Sequence, residues 1–226
     1  LGIIPVIGKS IFSSINPFVK LAGKPAIWYT LSQVELSKSL DKVVLSTEED
    51  ELLEFTNQFE KIVPLKRDIK SNQGILTSKI EDLVFDILKK LKIESDYEPD
   101  AICILYVNTP LRKAYHIDWA VNTLKIFNVD TVISVQEELA HCYRHRKFGL
   151  EPINKSSREL RLERDAIYKE NGAIILSKTK KIYETKSLFG GSIGHIVMLP
   201  EESVKINSEF EMWLAERIIL DQDSKK

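Results

Sequence analysis

Cysteine is nearly missing from this chain: Cys103 and Cys142 are the only two in 226 residues. Two cysteines do not build a disulfide framework, so a reducing compartment is expected. Cys103 lies inside an apolar run, the usual place of a small buried hydrophobe. An excess of charge of one sign is also missing, since Lys+Arg is 32, Asp+Glu is 33 and the net charge is −1. Nucleic-acid backbones need a basic excess or a clustered basic face, so nucleic acid is excluded as the main partner. The run Arg144-His145-Arg146-Lys147 is short and reads as solvated surface. No apolar stretch approaches the roughly 20 residues that span a bilayer, so no membrane partner is expected. The apolar start Leu1–Ile7 has no basic n-region and no cleavage site, and so is not a signal peptide. The chain begins without methionine, which fits a trimmed chain or a piece of a larger protein. There is no nucleophile elbow, Walker A loop, internal repeat, low-complexity tract or Gly/Ser linker. These absences together point to a cytoplasmic protein.

What is present is ample core material, with 43% hydrophobic residues, in a length that fits a single domain over residues 1–226. Strand-length apolar runs alternate with helix-length amphipathic ones. Leu1–Ile7, Lys42–Ser46, Lys61–Leu65, Ala101–Val107, Thr131–Val135, Ala173–Ser177 and Ile193–Leu199 read as strands. Pro25 opens a helix to about Leu40 at the first helical position. Ser46 or Thr47 caps the next helix, with Glu48, Glu49 and Asp50 at its positive end. Ile80, Leu83, Val84, Ile87, Leu88 and Leu91 share one face of a helix over Leu76–Leu91. Ala114–Phe127 and Ser208–Asp221 complete the set, the latter with Ser208 and Glu211 in a capping-box pattern. Such alternation predicts an α/β fold with a mainly parallel sheet. The polar stretch from about 136 to 168 interrupts it and reads as an excursion. Ligands in such sheets bind beyond the carboxyl ends of the strands. That directs attention to Gly8–Lys20, the loop after Tyr106, Lys169–Gly172 and Lys205–Glu211.

Those segments carry recognisable blocks. Leu21-Ala22-Gly23-Lys24-Pro25, the helix residues Tyr29-Thr30, and Val43-Val44-Leu45-Ser46-Thr47-Glu48-Glu49 come first. Asn108-Thr109-Pro110-Leu111-Arg112, Asn171-Gly172-Ala173-Ile174-Ile175 and Val204-Lys205-Ile206-Asn207-Ser208-Glu209-Phe210-Glu211 follow. In order and spacing they resemble the CMP-sialic acid synthetase (acylneuraminate cytidylyltransferase) family from end to end. The resemblance implies a Rossmann-like nucleotide-diphospho-sugar transferase fold, helices on both sheet faces, and a homodimer made through the 136–168 excursion. It implies transfer of CMP from CTP, with Mg²⁺, to an acidic nine-carbon-type sugar, sialic acid or a related nonulosonic acid, with release of pyrophosphate. Chemistry of this kind needs donors and positive charge around the phosphates and an aligned attacking oxygen.

Carried over position by position, the resemblance is uneven. The family's phosphate loop, approximately P-A-R-G-G-S-K-G, faces Pro5-Val6-Ile7-Gly8-Lys9-Ser10-Ile11-Phe12. Gly8 and Ser10 match, while Ile7 and Ile11 stand where the family has Arg and Lys. Lys9 either takes a phosphate-binding role or is plain surface. Asn16 is near the family's loop asparagine but out of register. The resemblance implies nucleotide contacts for Gly8, Ser78, Tyr106, Asn108 and Thr109, and a catalytic group in Lys9, Ser10 and Arg112. It implies sugar contacts for Arg161, Lys169 and Asn171. Tyr106 is a base-stacking aromatic or core, and Ser78 a cytosine contact or a first-turn helix residue. The two metal-binding aspartates of the family are Lys205 and Asn207 here, leaving Asn207 as a weak ligand for Mg²⁺. Helix capping by Asn207 or Ser208 accounts for the same segment, and Lys205 replacing part of the metal's charge is the alternative. His141 and His145, four apart, would share a helix face, but no Cys or carboxylate accompanies them as a zinc site requires. Three functions remain open: an active cytidylyltransferase, a degenerate homologue acting as a nucleotide- or sugar-binding or scaffold protein, or a related nucleotidyltransferase with an altered substrate and another way of holding the metal.

Overall fold

Residues 1–6, 16–67, 79–153 and 166–225 are described by a computed structural model. In chain order the first half holds β1 (Gly2–Pro5), β2 (Lys20–Leu21), β3 (Lys24–Pro25), α1 (Ala26–Leu36), β4 (Val43–Thr47), α2 (Asp50–Phe55), β5 (Ile62–Lys66) and α3 (Ile80–Ser95). The second half holds β6 (Ala101–Ile104), α4 (Ala114–Ile126), β7 (Thr131–Glu138), β8 (Tyr143–Arg146), β9 (Gly149–Pro152), β10 (Ile167–Lys178), α5 (Thr179–Thr185), β11 (Ile193–Val197) and α6 (Glu209–Ser224). Seven strands form one sheet in the order β11-β7-β10-β6-β1-β4-β5. The β5–β4–β1–β6 block is parallel and so is β7–β11, while β10 runs antiparallel to both of its neighbours. This is the expected α/β architecture with a mainly parallel sheet.

The central strands are apolar on both sides because helices cover both faces. One face carries Ile4, Val43, Leu45, Cys103 and Leu105 against Ile27, Leu31 and Val34 of α1, Leu52 of α2 and Ile117, Ala120 and Leu124 of α4. The other carries Ile3, Val44, Ile102, Ile104 and Ile175 against Val84, Ile87, Leu88 and Leu91 of α3 and Ile182 of α5. Residues adjacent in sequence thus enter opposite layers, as the pleat requires. Each such side chain removed from water contributes about 1.5–3 kcal/mol. A third cluster packs Ile206, Ala215 and Ile219 against Leu21, Ala26 and Leu111, which fixes α6 to the start of α1.

Several boundaries moved for identifiable reasons. Pro25 is the N-cap of α1, not its first helical residue, and the helix ends at Leu36 instead of near Leu40. Asp118 of α4 draws the chain out of the helix there, accepting from Ser37 Oγ at 2.7 Å and from the Ser39 N–H at 2.9 Å. Ser46 and Thr47 are buried in β4, and Glu49 is the N-cap of α2 without a side-chain cap bond. Strand β10 begins six residues upstream of the expected Ala173–Ser177 strand, at Ile167, and pairs Ile167–Glu170 with Glu138–Val135 of β7. Its first half is exposed and polar, so it reads as loop in the sequence. Residues 76–78, expected to start α3, lie outside the described residues.

Candidate functional site

The carboxyl ends of β1 and β6, the middle of β10 and the strap before α6 meet at one end of the sheet. The loop after β1 begins beyond Val6, whose N–H bonds Ser46 O at 3.0 Å. Ile7, Gly8, Lys9, Ser10 and Ile11 lie outside the described residues, as do Ser78 and Arg161. Asn16, where the description resumes, accepts the Phe18 N–H at 2.9 Å in a turn.

The loop after β6 is built around a buried cation. Arg112 is 1% exposed. Its Nη1 donates to Ala173 O at 2.7 Å, Thr109 Oγ1 at 2.8 Å and Tyr106 O at 3.3 Å. Its Nη2 donates to Thr30 Oγ1 of α1 at 3.0 Å. Thr109, also 1% exposed, donates its own hydroxyl to Tyr106 O at 2.9 Å. Burial lowers the Arg112 pKa to about 10, which leaves the group charged at neutral pH. The expected catalytic Arg112 and nucleotide-binding Thr109 are therefore interior residues. They bind the β6 loop to α1 and β10.

Asn171 has the same character. It opens a bulge at which the β10–β7 register shifts between Glu170 and Ile175. Gly172 takes φ +70°, the left-handed conformation that favours glycine. Asn171 is buried, and its Oδ1 accepts from Ser134 Oγ at 2.6 Å and from the Ala173 N–H at 3.0 Å. Its Nδ2 donates to Ser203 Oγ at 3.0 Å. The side chain that the resemblance assigned to the sugar thus holds the bulge and the strap together. The preceding turn, Pro200–Glu202, is anchored from α4. His116 Nδ1 accepts the Lys113 N–H at 3.0 Å, so its proton sits on Nε2, which faces Glu202 Oε2 at 3.1 Å. Burial holds the His116 pKa below its ordinary value although Glu202 pulls it upward.

The rim of the site is different. Ile206 is buried, and its N–H bonds Asn108 O at 2.8 Å. Its neighbours turn the other way. Asn207 Oδ1 accepts from Asn108 Nδ2 at 3.4 Å. The Lys205 Nζ lies only 3.3 Å from where a Cβ on Gly172 would stand. Asn108 Oδ1 is buried and has no hydrogen-bond partner among the described residues. Tyr106 is half-buried and packs against the α3 side of the core, and burial, then Glu170 and Glu81, raise its hydroxyl pKa. Lys169 is exposed on β10 opposite Gln136. Ser208 is the N-cap of α6, its Oγ accepting the Glu211 N–H at 3.3 Å while Glu211 Oε2 accepts the Asn207 N–H at 2.8 Å. The expected capping box is there, with the carboxylate reaching one residue further back.

This donor set does not fit a divalent cation. Charged Lys205 offers no lone pair, and the one carbonyl of Asn207 faces an amide. Two unit charges 4 Å apart near a protein surface interact by about 4 kcal/mol, twice that for a dication, and here the sign is repulsive. Among the described residues no group of three or more His, Cys, Asp or Glu is placed to hold a metal. His145 lies on β8 and not on a helix, which removes the shared face expected with His141. The basic run on β8 is exposed, and Arg144 and Arg146 bracket Glu151 of β9 at 3.2 and 2.7 Å. Among the described residues no helix is long and apolar enough to cross a membrane.

One group at this end of the sheet has no counterpart in the sequence reading. Arg67, just after β5, donates to Val6 O and to Glu48 Oε2, the latter at 2.7 Å. It therefore stands at the entrance to the loop after β1. Its only signal in the sequence is its place directly after a parallel strand.

No family model matches the chain. Among curated proteins it is 26% identical over 210 residues to the CMP-N,N'-diacetyllegionaminic acid synthase of Legionella pneumophila, covering 90% of this chain and 89% of that protein. It is 27% identical over 197 residues to an N-acylneuraminate cytidylyltransferase of Streptococcus agalactiae, covering 83% of this chain and 45% of that protein. The corresponding enzyme of Oncorhynchus mykiss is 25% identical over 209 residues, again with 45% of its length spanned. The resemblance seen in the separate blocks thus extends over most of the chain. In fold, the chain is similar to a 4-diphosphocytidyl-2C-methyl-D-erythritol synthase from Anaerococcus prevotii, with TM-score 0.68, 13% identity and 97% of each chain covered. It is also similar to a CMP:2-keto-3-deoxy-manno-octonic acid synthetase in complex with CTP, with TM-score 0.66, 11% identity and 98% of each chain covered. The fold is that of the Rossmann-like nucleotidyltransferases.

Proposed function

We propose that this chain transfers CMP from CTP to an acidic nine-carbon-type sugar, a sialic acid or related nonulosonic acid, and releases pyrophosphate. The observation that carries this reading is similarity over nine-tenths of the chain to a synthase of that class. In the reaction a sugar hydroxyl oxygen bonds to the α-phosphorus, the bond from that phosphorus to the β-bridging oxygen breaks, and the hydroxyl proton passes to solvent. Gly8, Lys9 and Ser10 take the triphosphate in this reading, and Ser78, Tyr106 and Asn108 the nucleoside side. Arg161 and Lys169 take the sugar carboxylate, Lys169 as a point charge without the bidentate fork of an arginine. Arg112, Thr109 and Asn171 position the loops that carry these groups. A homodimer belongs to the same reading, formed through the β8–β9 hairpin, which exposes Tyr143, Phe148, Leu150 and Ile153. So does a cytoplasmic location, in keeping with two free cysteines.

A second reading is favoured by the Lys205 and Asn207 substitutions: a homologue that binds nucleotide or sugar without turnover. Pyrophosphate release separates the two, measured with each of the four nucleoside triphosphates and a panel of nonulosonic acids, with and without Mg²⁺ or Mn²⁺. Turnover at ordinary enzyme rates with CTP supports the synthase. Retained CTP binding without turnover selects the second reading, and loss of both sinks the two together.

A further inference from the structure

The Lys205 side chain ends against Gly172 in the β10 bulge. A Cβ at residue 172 would stand 3.3 Å from its Nζ and 3.8 Å from its Cε, so glycine there provides room for the lysine as well as the left-handed turn. The position of Lys205 is set by its neighbours. Ile206 is anchored in the core and by its N–H to Asn108 O, and Asn207 is held by Asn108 Nδ2 and by Glu211. The Lys205 carbonyl accepts from Asn207 Nδ2 at 3.4 Å, while its ammonium has no hydrogen-bond or ion-pair partner among the described residues. Asn108, bonded to the next residue Ile206, presents a buried side-chain carbonyl oxygen that also has no partner among the described residues. A positioned ammonium and an unsatisfied acceptor at the carboxyl ends of β6 and β10 form a complementary pair. They suit a ligand that offers an anionic oxygen together with a neighbouring hydroxyl or amine.

We propose that Lys205 is the resident cation of this site, and that its ammonium holds nucleotide phosphate directly where a divalent ion would otherwise bridge. An ammonium on a four-carbon stem is a compact point charge with three rotatable donors, well suited to phosphate oxygen. The same charge repels a dication from the Lys205–Asn207 pair, so the site takes the phosphate in place of the metal and not in addition to it. The proposal rests on the reading of the chain as a nucleotide-binding protein, and it changes what that site requires.

The test is CTP binding by calorimetry with excess EDTA and with Mg²⁺, together with Mn²⁺ binding in the absence of nucleotide, followed by paramagnetic resonance. The wild-type chain is expected to bind CTP in EDTA at least as tightly as in Mg²⁺, and to bind no Mn²⁺ by itself. Lys205→Gln is expected to lose CTP affinity about tenfold, the equivalent of about 1.4 kcal/mol, with an unchanged melting temperature because the side chain is partly solvated. The double variant Lys205→Asp with Asn207→Asp is expected to bind one Mn²⁺ and to bind CTP only when a divalent ion is present. CTP binding by the wild type that disappears in EDTA overturns the proposal, and so does a Lys205→Gln variant that binds as the wild type does. Both of those leave nucleotide binding standing. Absence of CTP binding by the wild type under either condition removes the nucleotide reading itself, and the proposal with it.

Discussion

Asn171 and Lys205 lie on either side of the same glycine and are held in opposite ways. Asn171 is buried, with Ser134, Ala173 and Ser203 bonded to its amide. Lys205 is half-exposed, and its ammonium has no bonding partner among the described residues. The same contrast runs through the site. Arg112 and Thr109 form a hydrogen-bonded floor, whereas Asn108, Lys205 and Asn207 form a rim with bonding capacity to spare. Of the positions that match the pattern the chain resembles, Arg112 and Asn171 lie in the floor; of the departures from it, Lys205 and Asn207 lie in the rim, and Ile7 and Ile11 lie outside the described residues. A buried polar group is costly to change because each change strands its partners, while a solvated group can be exchanged at little cost in stability. The floor therefore reports how the scaffold is held, and on the proposed reading the rim sets which ligand charge the site accepts.

The strongest way to break this contrast is Arg112→Met. It keeps the volume and strands acceptors on Thr30, Thr109 and Ala173, so a loss of about 3 kcal/mol in urea unfolding is expected. Full stability in Arg112→Met with loss of nucleotide binding would move Arg112 from floor to rim. Next is Asn171→Ala, which removes the amide that joins the bulge to β7 and the strap. About 2 kcal/mol is expected, and hydrogen exchange should quicken at Ala173 and Ile174 before it does in β6. The smallest effect is expected at the rim, where Ser208→Ala removes the N-cap of α6 at a cost of about 1 kcal/mol. That variant should leave CTP affinity unchanged, and a large drop in affinity would give Ser208 a ligand contact beyond its cap.

The helix over Ile80–Ser95 was legible because Val84, Ile87, Leu88 and Leu91 repeat on one face, and that local period fixes which side turns inward. The short helix Thr179–Thr185 was not, since its lysine-rich seven residues bury only Ile182. The candidate site divides along the same line. The loop after Tyr106 and the segments Lys169–Gly172 and Lys205–Glu211 were readable as candidate ligand segments from the rule that ligands bind beyond the carboxyl ends of such strands. That Arg112 faces inward was not, because an arginine in a loop reads as solvent-exposed unless its acceptors are known, and one of them lies 61 residues away on β10.

By itself the sequence determined the alternation of strands and helices, the two-sided burial of the central sheet, and the kind of protein the chain resembles. The first two follow from side-chain periodicity and composition, which act over a few residues, and the third from the order and spacing of the matching blocks. Only the tertiary structure decided that β10 runs antiparallel between β6 and β7 with a bulge at Gly172, and that Arg112 and Asn171 are interior ties. It alone seated the Lys205 ammonium on that glycine. The reason is physical: burial, hydrogen-bond satisfaction and charge proximity belong to pairs of residues far apart in the chain, and no local pattern encodes them.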